Sequence, residues 1–167
     1  MTEFRPMRRS AQQLTNAEAE EILMSATSGV LSVLGDGGYP YGVPLSYVYK
    51  EGKVYFHCAK TGHKQDAVKA CDKASFCVIA QDEIVPEKYT TLFRSVIAFG
   101  RIREISGDEM RRVIELLARR YNPADSEENM NIEIDKEYDR LCMLEFTVEH
   151  MTGKEAIEIV REKRRNS

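Results

Sequence analysis

Apolar residues recur at helical spacing over residues 16–26, where Ala19, Ile22, Leu23 and Ala26 share one face. Thr15 and Glu18 stand at the spacing of a capping box, which predicts where that helix begins. Residues 29–34 (GVLSVL) then read as a strand ended by Asp36-Gly37-Gly38, a strong turn signal. Residues 41–49 alternate: Tyr41, Val43, Leu45, Tyr47 and Tyr49 point one way, and Gly42, Pro44, Ser46 and Val48 the other. Glu51-Gly52 is a second tight turn, and residues 54–58 (VYFHC) return as the next strand.

The polar loop at residues 59–64 leads into a short helix over 64–71. Residues 74–80 are continuously apolar and predict a buried strand, and residues 91–104 a long one covered on both faces. Met110, Val113, Ile114, Leu117 and Tyr121 mark an amphipathic helix. Residues 122–139 are acidic, with Pro123 near their start, and predict a surface loop. A last strand covers 141–148, with His150 expected beyond it and exposed, and the charged segment 153–167 predicts a short helix from Lys154. The expected fold is one α+β, mainly β, domain spanning 1–167, with an amino-terminal arm at 1–14. Six antiparallel strands joined by short turns favour a barrel, because closure leaves no edge exposed.

Composition narrows the function classes. The formal charge of −3 and pI near 5.7 give no general affinity for nucleic acid, and the basic clusters sit in charged terminal segments. No apolar run approaches the roughly 20 residues that span a bilayer, and MTEFRPMRRS lacks a signal-peptide core. Cys58, Cys71, Cys77 and Cys142 contain no C-x-x-C pair, so no zinc or thioredoxin-type motif is expected. The seven carboxylates of 122–139 lack the mid-loop glycine of a calcium-binding loop. A cytoplasmic chain without a bound metal is the expectation.

The chemistry concentrates in residues 38–64. Gly62-His63-Lys64 opens a helix, and a helix start offers unpaired N–H groups and partial positive charge to a phosphate. A plain turn with a solvated lysine is the alternative. The order Gly37-Gly38-Tyr39-Pro40, Val43-Pro44-Leu45-Ser46-Tyr47, Val54-Tyr55-Phe56-His57-Cys58-Ala59 and Gly62-His63-Lys64 resembles the nitroimidazole-resistance (Nim-type) branch of the pyridoxamine phosphate oxidase-like flavin proteins. Residues 93–100 (FRSVIAFG) extend the resemblance, and residues 4–9 resemble the family's opening.

That resemblance implies a split β-barrel homodimer with a flavin in each of two interface clefts. Pro44, Leu45, Ser46 and Tyr47 would run along the flavin ring. His57, Cys58 and Ala59 would line the ribityl chain and phosphate, and Gly62, His63 and Lys64 would hold the phosphate. Ser95 and Val96 would reach in from the partner subunit. FMN is the implied cofactor, with FAD in some relatives and haem a lesser alternative through His57. The chain departs from the vitamin-forming oxidases, which carry Ser-Arg-Lys where it has Gly62-His63-Lys64 and an arginine in the strand matching 44–47. Pyridoxamine phosphate oxidation is therefore not expected.

His57 is either an interior histidine or a contact to phosphate or ring. Arg94 either reaches the cleft or pairs with a carboxylate, and Tyr39, Tyr41 and Tyr47 either stack on a ring or pack in the core. No residue stands out as a general acid, so no catalytic side chain is assigned. The leading expectation is a flavin-dependent oxidoreductase on a small organic substrate, with nitroaromatic compounds the class that the resemblance implies. A non-catalytic flavin or haem carrier or sensor, and a barrel without ligand, are the alternatives.

Overall fold

A computed structural model of the chain describes residues 4–166. The first three residues of the expected amino-terminal arm, and Ser167, lie outside them. Helix α1 (Asn16–Ser25) opens on the expected capping box: Thr15 Oγ1 accepts the Glu18 N–H at 3.2 Å, and Glu18 Oε2 accepts the Thr15 N–H at 2.9 Å. The remaining elements are β1 (Ser28–Leu34), β2 (Pro40–Ser46), β3 (Val48–Lys50), β4 (Lys53–Ala59), α2 (His63–Ala70), β5 (Lys73–Val85) and β6 (Thr90–Ile105). They continue with α3 (Gly107–Tyr121), α4 (Glu127–Glu137), β7 (Leu141–Glu155) and α5 (Ile157–Arg165).

The strands form one antiparallel sheet in the order β2-β1-β5-β6-β7-β4-β3. Its two ends, β2 and β3, are consecutive in the chain but hydrogen-bond to different neighbours. The sheet is therefore curled but not closed, as a split barrel is. Seven strands stand where six were expected, for a simple reason. The alternation over 41–49 holds, with Tyr41, Leu45, Tyr47 and Tyr49 all packing on the interior, but the segment changes partner at Tyr47, from β1 to β4. Tyr47 itself is fully buried, and its hydroxyl donates to the Leu23 carbonyl at 2.8 Å.

The interior is filled by Leu31, Tyr47, Val54, Phe56, Phe76, Val78, Val96, Leu144 and Phe146 with Leu23 of α1. A second, smaller core lies on the outer face of β3, β4 and β7, where α3 and α4 cover Val48 and Met143. Here the acidic stretch departs from expectation: within 122–139 the structure has α4, not a loop. Ser126 caps it by accepting the Asn129 N–H at 3.1 Å, and Met130 and Ile134, one turn apart, are buried against α3. Two apolar residues among many carboxylates suffice, because α3 supplies the face they need.

β5, β6 and β7 run longer than their apolar stretches. The second half of β7 pairs with β6 beyond a bulge at Phe99/Gly100. His150 therefore lies within β7, half-buried, with its ring 4.6 Å from that of Phe4, rather than exposed beyond a strand end. Arg94 pairs with a carboxylate: its Nε stands 3.3 Å from the buried Glu155. Lys163 of α5 joins Glu155 and Glu18, both at 2.9 Å. On β7, burial works against the charge of Glu145, but Lys53 at 2.8 Å and Arg103 at 2.9 Å outweigh it and hold the carboxyl below its ordinary range. Among the described residues, no helix is long and apolar enough to cross a membrane.

Two predictions follow from these contacts. A Cβ on Gly100 would stand 2.0 Å from the Thr147 carbonyl oxygen, so Gly100→Ala must push β6 off β7. A loss of about 1–3 kcal/mol is expected, seen as a melting temperature lower by roughly 2–4 °C per kcal/mol. The Thr15 N–H first, and Lys163 with it, lower the Glu18 pKa from 4.5 to about 2. A lowered carboxyl pKa stabilises the fold above its unfolded value and loses that contribution as the acid protonates. The urea midpoints of wild type and Glu18→Gln should differ at neutral pH and converge as pH falls from 4.5 towards 2.

Candidate functional site

The split between β2 and β4 is where the chemically distinctive residues collect. On β2, Gly42, Pro44 and Ser46 face outward and are exposed, while Leu45 and the following Tyr47 face the interior. On β4, Val54, Phe56 and Cys58 point inward, while His57 and Ala59 point outward and are exposed. His57 is thus not an interior histidine. β2 and β4 touch across the split, and α2 begins beside them.

The start of α2 is built for a close approach. Gly62 holds φ 126° and ψ 172°, a conformation that side chains resist, and a Cβ there would meet nothing within 4 Å. Among the described residues no side chain caps the helix, so its first N–H groups are left for an external acceptor. Thr61 and His63 are exposed and Lys64 is half-buried. His63 folds back over the β1–β2 turn: its ring stacks on Tyr41 at 4.2 Å, and its Nε2 accepts the Asp36 N–H at 3.2 Å. That bond fixes the tautomer, leaving Nδ1–H as a donor. The Asp36 carboxylate, 3.6 Å from Nε2, sets a negative charge close by.

Pro44 and Ser46 are thus exposed on β2, His57 and Ala59 on β4, and Gly62 and His63 at the start of α2, with Lys64 half-buried there. The side chains of Leu45, Tyr47 and Cys58 pack into the interior. Cys58 faces Cys142 across the β4–β7 ladder, and the Gln65 amide lies 2.7 Å from the Cys142 sulphur, so α2 plugs this end of the interior. Burial pushes the Cys58 thiol up to about 12, which makes it a packing group and not a nucleophile. Ser95 and Val96 lie elsewhere, beside the far half of β7, opposite Lys154 and Gly153. The Val96 side chain is fully buried and its main chain is paired with both β5 and β7, so only the half-buried Ser95 remains presentable. Of the tyrosines, Tyr47 is core and Tyr39 is 77% exposed.

Sequence reasoning missed a second feature. A cavity of about 470 Å³ lies between α3, α4 and the outer face of β4 and β7. Leu117, Met130, Ile134 and Met143 give it an apolar lining, His57 enters from β4, and Asp125, Glu133 and Glu137 stand at its open side. Its volume is in the range of small-molecule sites. The only signal in the sequence was the pair of rows on α4, Asn129-Glu133-Glu137 beside Met130-Ile134, whose fourfold spacing the carboxylates obscured.

The sequence matches the family model described as pyridoxamine 5′-phosphate oxidase over residues 15–155. The chain belongs to that family. No curated protein matches the sequence. The fold is similar to that of a candidate 5-nitroimidazole antibiotic resistance protein from Bacteroides thetaiotaomicron, with 19% identity, 85% of each chain covered and a TM-score of 0.69. It is similar to an FAD-binding protein from Mesorhizobium loti, with 22% identity, 87% of this chain and 97% of that one covered, and a TM-score of 0.59. An FAD and haem binding protein from Mycobacterium smegmatis shares 15% identity over 87% of this chain and 73% of its own, with a TM-score of 0.69. At these identities the likeness is one of fold.

The thiol environments give a direct check. Cys58 and Cys142 are buried, whereas Cys71 and Cys77 are half-buried. Brief alkylation at pH 8 followed by mass spectrometry should label Cys71 first and reach Cys58 and Cys142 only after unfolding. Early labelling of Cys58 would contradict its inward orientation.

Proposed function

We propose that the chain is a flavoprotein that binds FMN along the β2–β4 split at a homodimer interface and acts as an oxidoreductase on a small organic substrate. The observation that carries this reading is the uncapped start of α2 at Gly62, open to solvent and flanked by His63 and Lys64. It is the kind of donor set a phosphate monoester needs: main-chain N–H groups, an imidazole N–H and one lysine. The outward edge of β2 at Pro44 and Ser46 offers a flat, largely apolar wall for the ring, with His57 and Ala59 along the path between. When bound, the flavin supplies the redox chemistry. The chain's part is to anchor the phosphate, orient the ring and keep water from its face.

The strand register supports the dimer. Pro44, Val30, Cys77 and Ile97 are successive cross-strand partners, and all lie on the outer face of the sheet. Val30 is 38% exposed, Ile97 42% and Ile79 65%, an apolar band that a second copy would cover. Ser95 stands next to Ile97 on that face, so a second copy would bring its own Ser95 towards the split. Nitroaromatic compounds are the substrate class that the resemblance of residues 37–64 favours.

Protein purified without added cofactor should show flavin absorption, and a Soret band in its place would favour a haem protein. Lys64→Ala should weaken FMN binding about 10- to 150-fold, the weight of about 1.5–3 kcal/mol for a charged hydrogen bond. Unchanged affinity would remove the α2 corner from the site. Reduction of the bound flavin by NADH or NADPH, and its reoxidation by a nitroaromatic, would separate an enzyme from a carrier.

A further inference from the structure

The cavity under α3 and α4 has a composition that selects for charge. Its inner wall is apolar, supplied by Leu117 and Ile134 among others, and His57 is the only basic side chain lining it among the described residues. Three carboxylates stand at its open side. Asp125 is held by the Asn129 amide, with both its oxygens at 3.0 Å from Nδ2, and Glu133 pairs with Lys136, which does not line the cavity. An apolar slot beneath a negative mouth repels anions and gains from a ligand that is flat and apolar at one end and positively charged at the other.

We propose that this cavity binds small organic cations: a planar apolar ring seated on the α3–α4 wall, carrying a protonated amine directed at Asp125 and Glu137. His57 gives the cavity a link to the proposed flavin site, since it lines the cavity and projects from the outer face of β4 beside Ala59 and the split. The proposal goes beyond the flavoprotein reading by assigning a binding subsite for cationic ring compounds, nitroaromatic amines among them, beside the split. It rests on that reading for the chemistry but not for the binding.

The chain contains no tryptophan, so the fluorescence of an indole ligand is read without a protein tryptophan background. Tryptamine and indole-3-propionate share a ring and differ in the sign of their charge. Titrated into the full-length protein at low salt, tryptamine should bind about tenfold or more tightly than indole-3-propionate, as several partly exposed charges of one sign would require. The preference should shrink in 0.5 M NaCl and be lost in Asp125→Asn/Glu137→Gln. Asparagine and glutamine keep the size and an amide oxygen that can accept from Asn129, so the double variant should stay folded, checked by circular dichroism. Equal affinity for the two ligands, a preference for the anion, or a preference that survives the double variant would overturn the proposal. So would failure of both to bind, including the case where hydrogen exchange shows α3 and α4 covered by a second copy. Flavin content measured by absorbance in the same samples keeps the two readings apart: a flavin-loaded protein without charge preference sinks only this one.

Discussion

The segment from Pro40 to Lys50 leaves β1 and joins β4, and the pivot is Tyr47. Its ring fills the interior against Phe76, its hydroxyl is tied to the end of α1 through Leu23, and its carbonyl accepts the Tyr121 hydroxyl of α3 at 3.1 Å. One residue thereby fixes three elements at the place where the sheet changes partner. Were the strand to continue along β1, the sheet would have no split. A buried tyrosine whose hydroxyl and main-chain carbonyl both have partners anchors the segment where it changes neighbour.

The strand faces were legible because alternation is a local property: Tyr41, Leu45, Tyr47 and Tyr49 announce their side through spacing alone. The exchange of partners at Tyr47 was not legible, since periodicity says which way a residue points and nothing about what it pairs with. α4 was hidden for another reason. Met130 and Ile134 make a narrow apolar stripe, and the helix exists only because α3 covers it, a tertiary contribution that no local propensity reports. The far half of β7 escaped notice because the bulge at Phe99/Gly100 shifts its register, and His150, Gly153 and Lys154 interrupt the apolar pattern there.

The candidate site divides the same way. Gly62, His63 and Lys64 were singled out because turn chemistry marks the start of α2, whereas Pro44, Ser46 and His57 entered through the resemblance of residues 37–64 to the family. Val96 faces the interior while its neighbour Ser95 does not, since successive residues along a strand point to opposite sides. The α3–α4 cavity was out of reach, because its walls come from four elements and its charge only becomes a mouth once α4 is folded.

His63 joins two parts of the molecule that the chain keeps far apart. Its Nε2 accepts the Asp36 main-chain N–H and its ring stacks on Tyr41, so the first residue of α2 is tied to the β1–β2 turn. An acceptor drawing on Nδ1–H polarises the imidazole and strengthens its grip on the turn, and a turn that loosens releases the tautomer the acceptor needs. The start of α2 and the β1–β2 turn therefore keep each other in order through a single side chain.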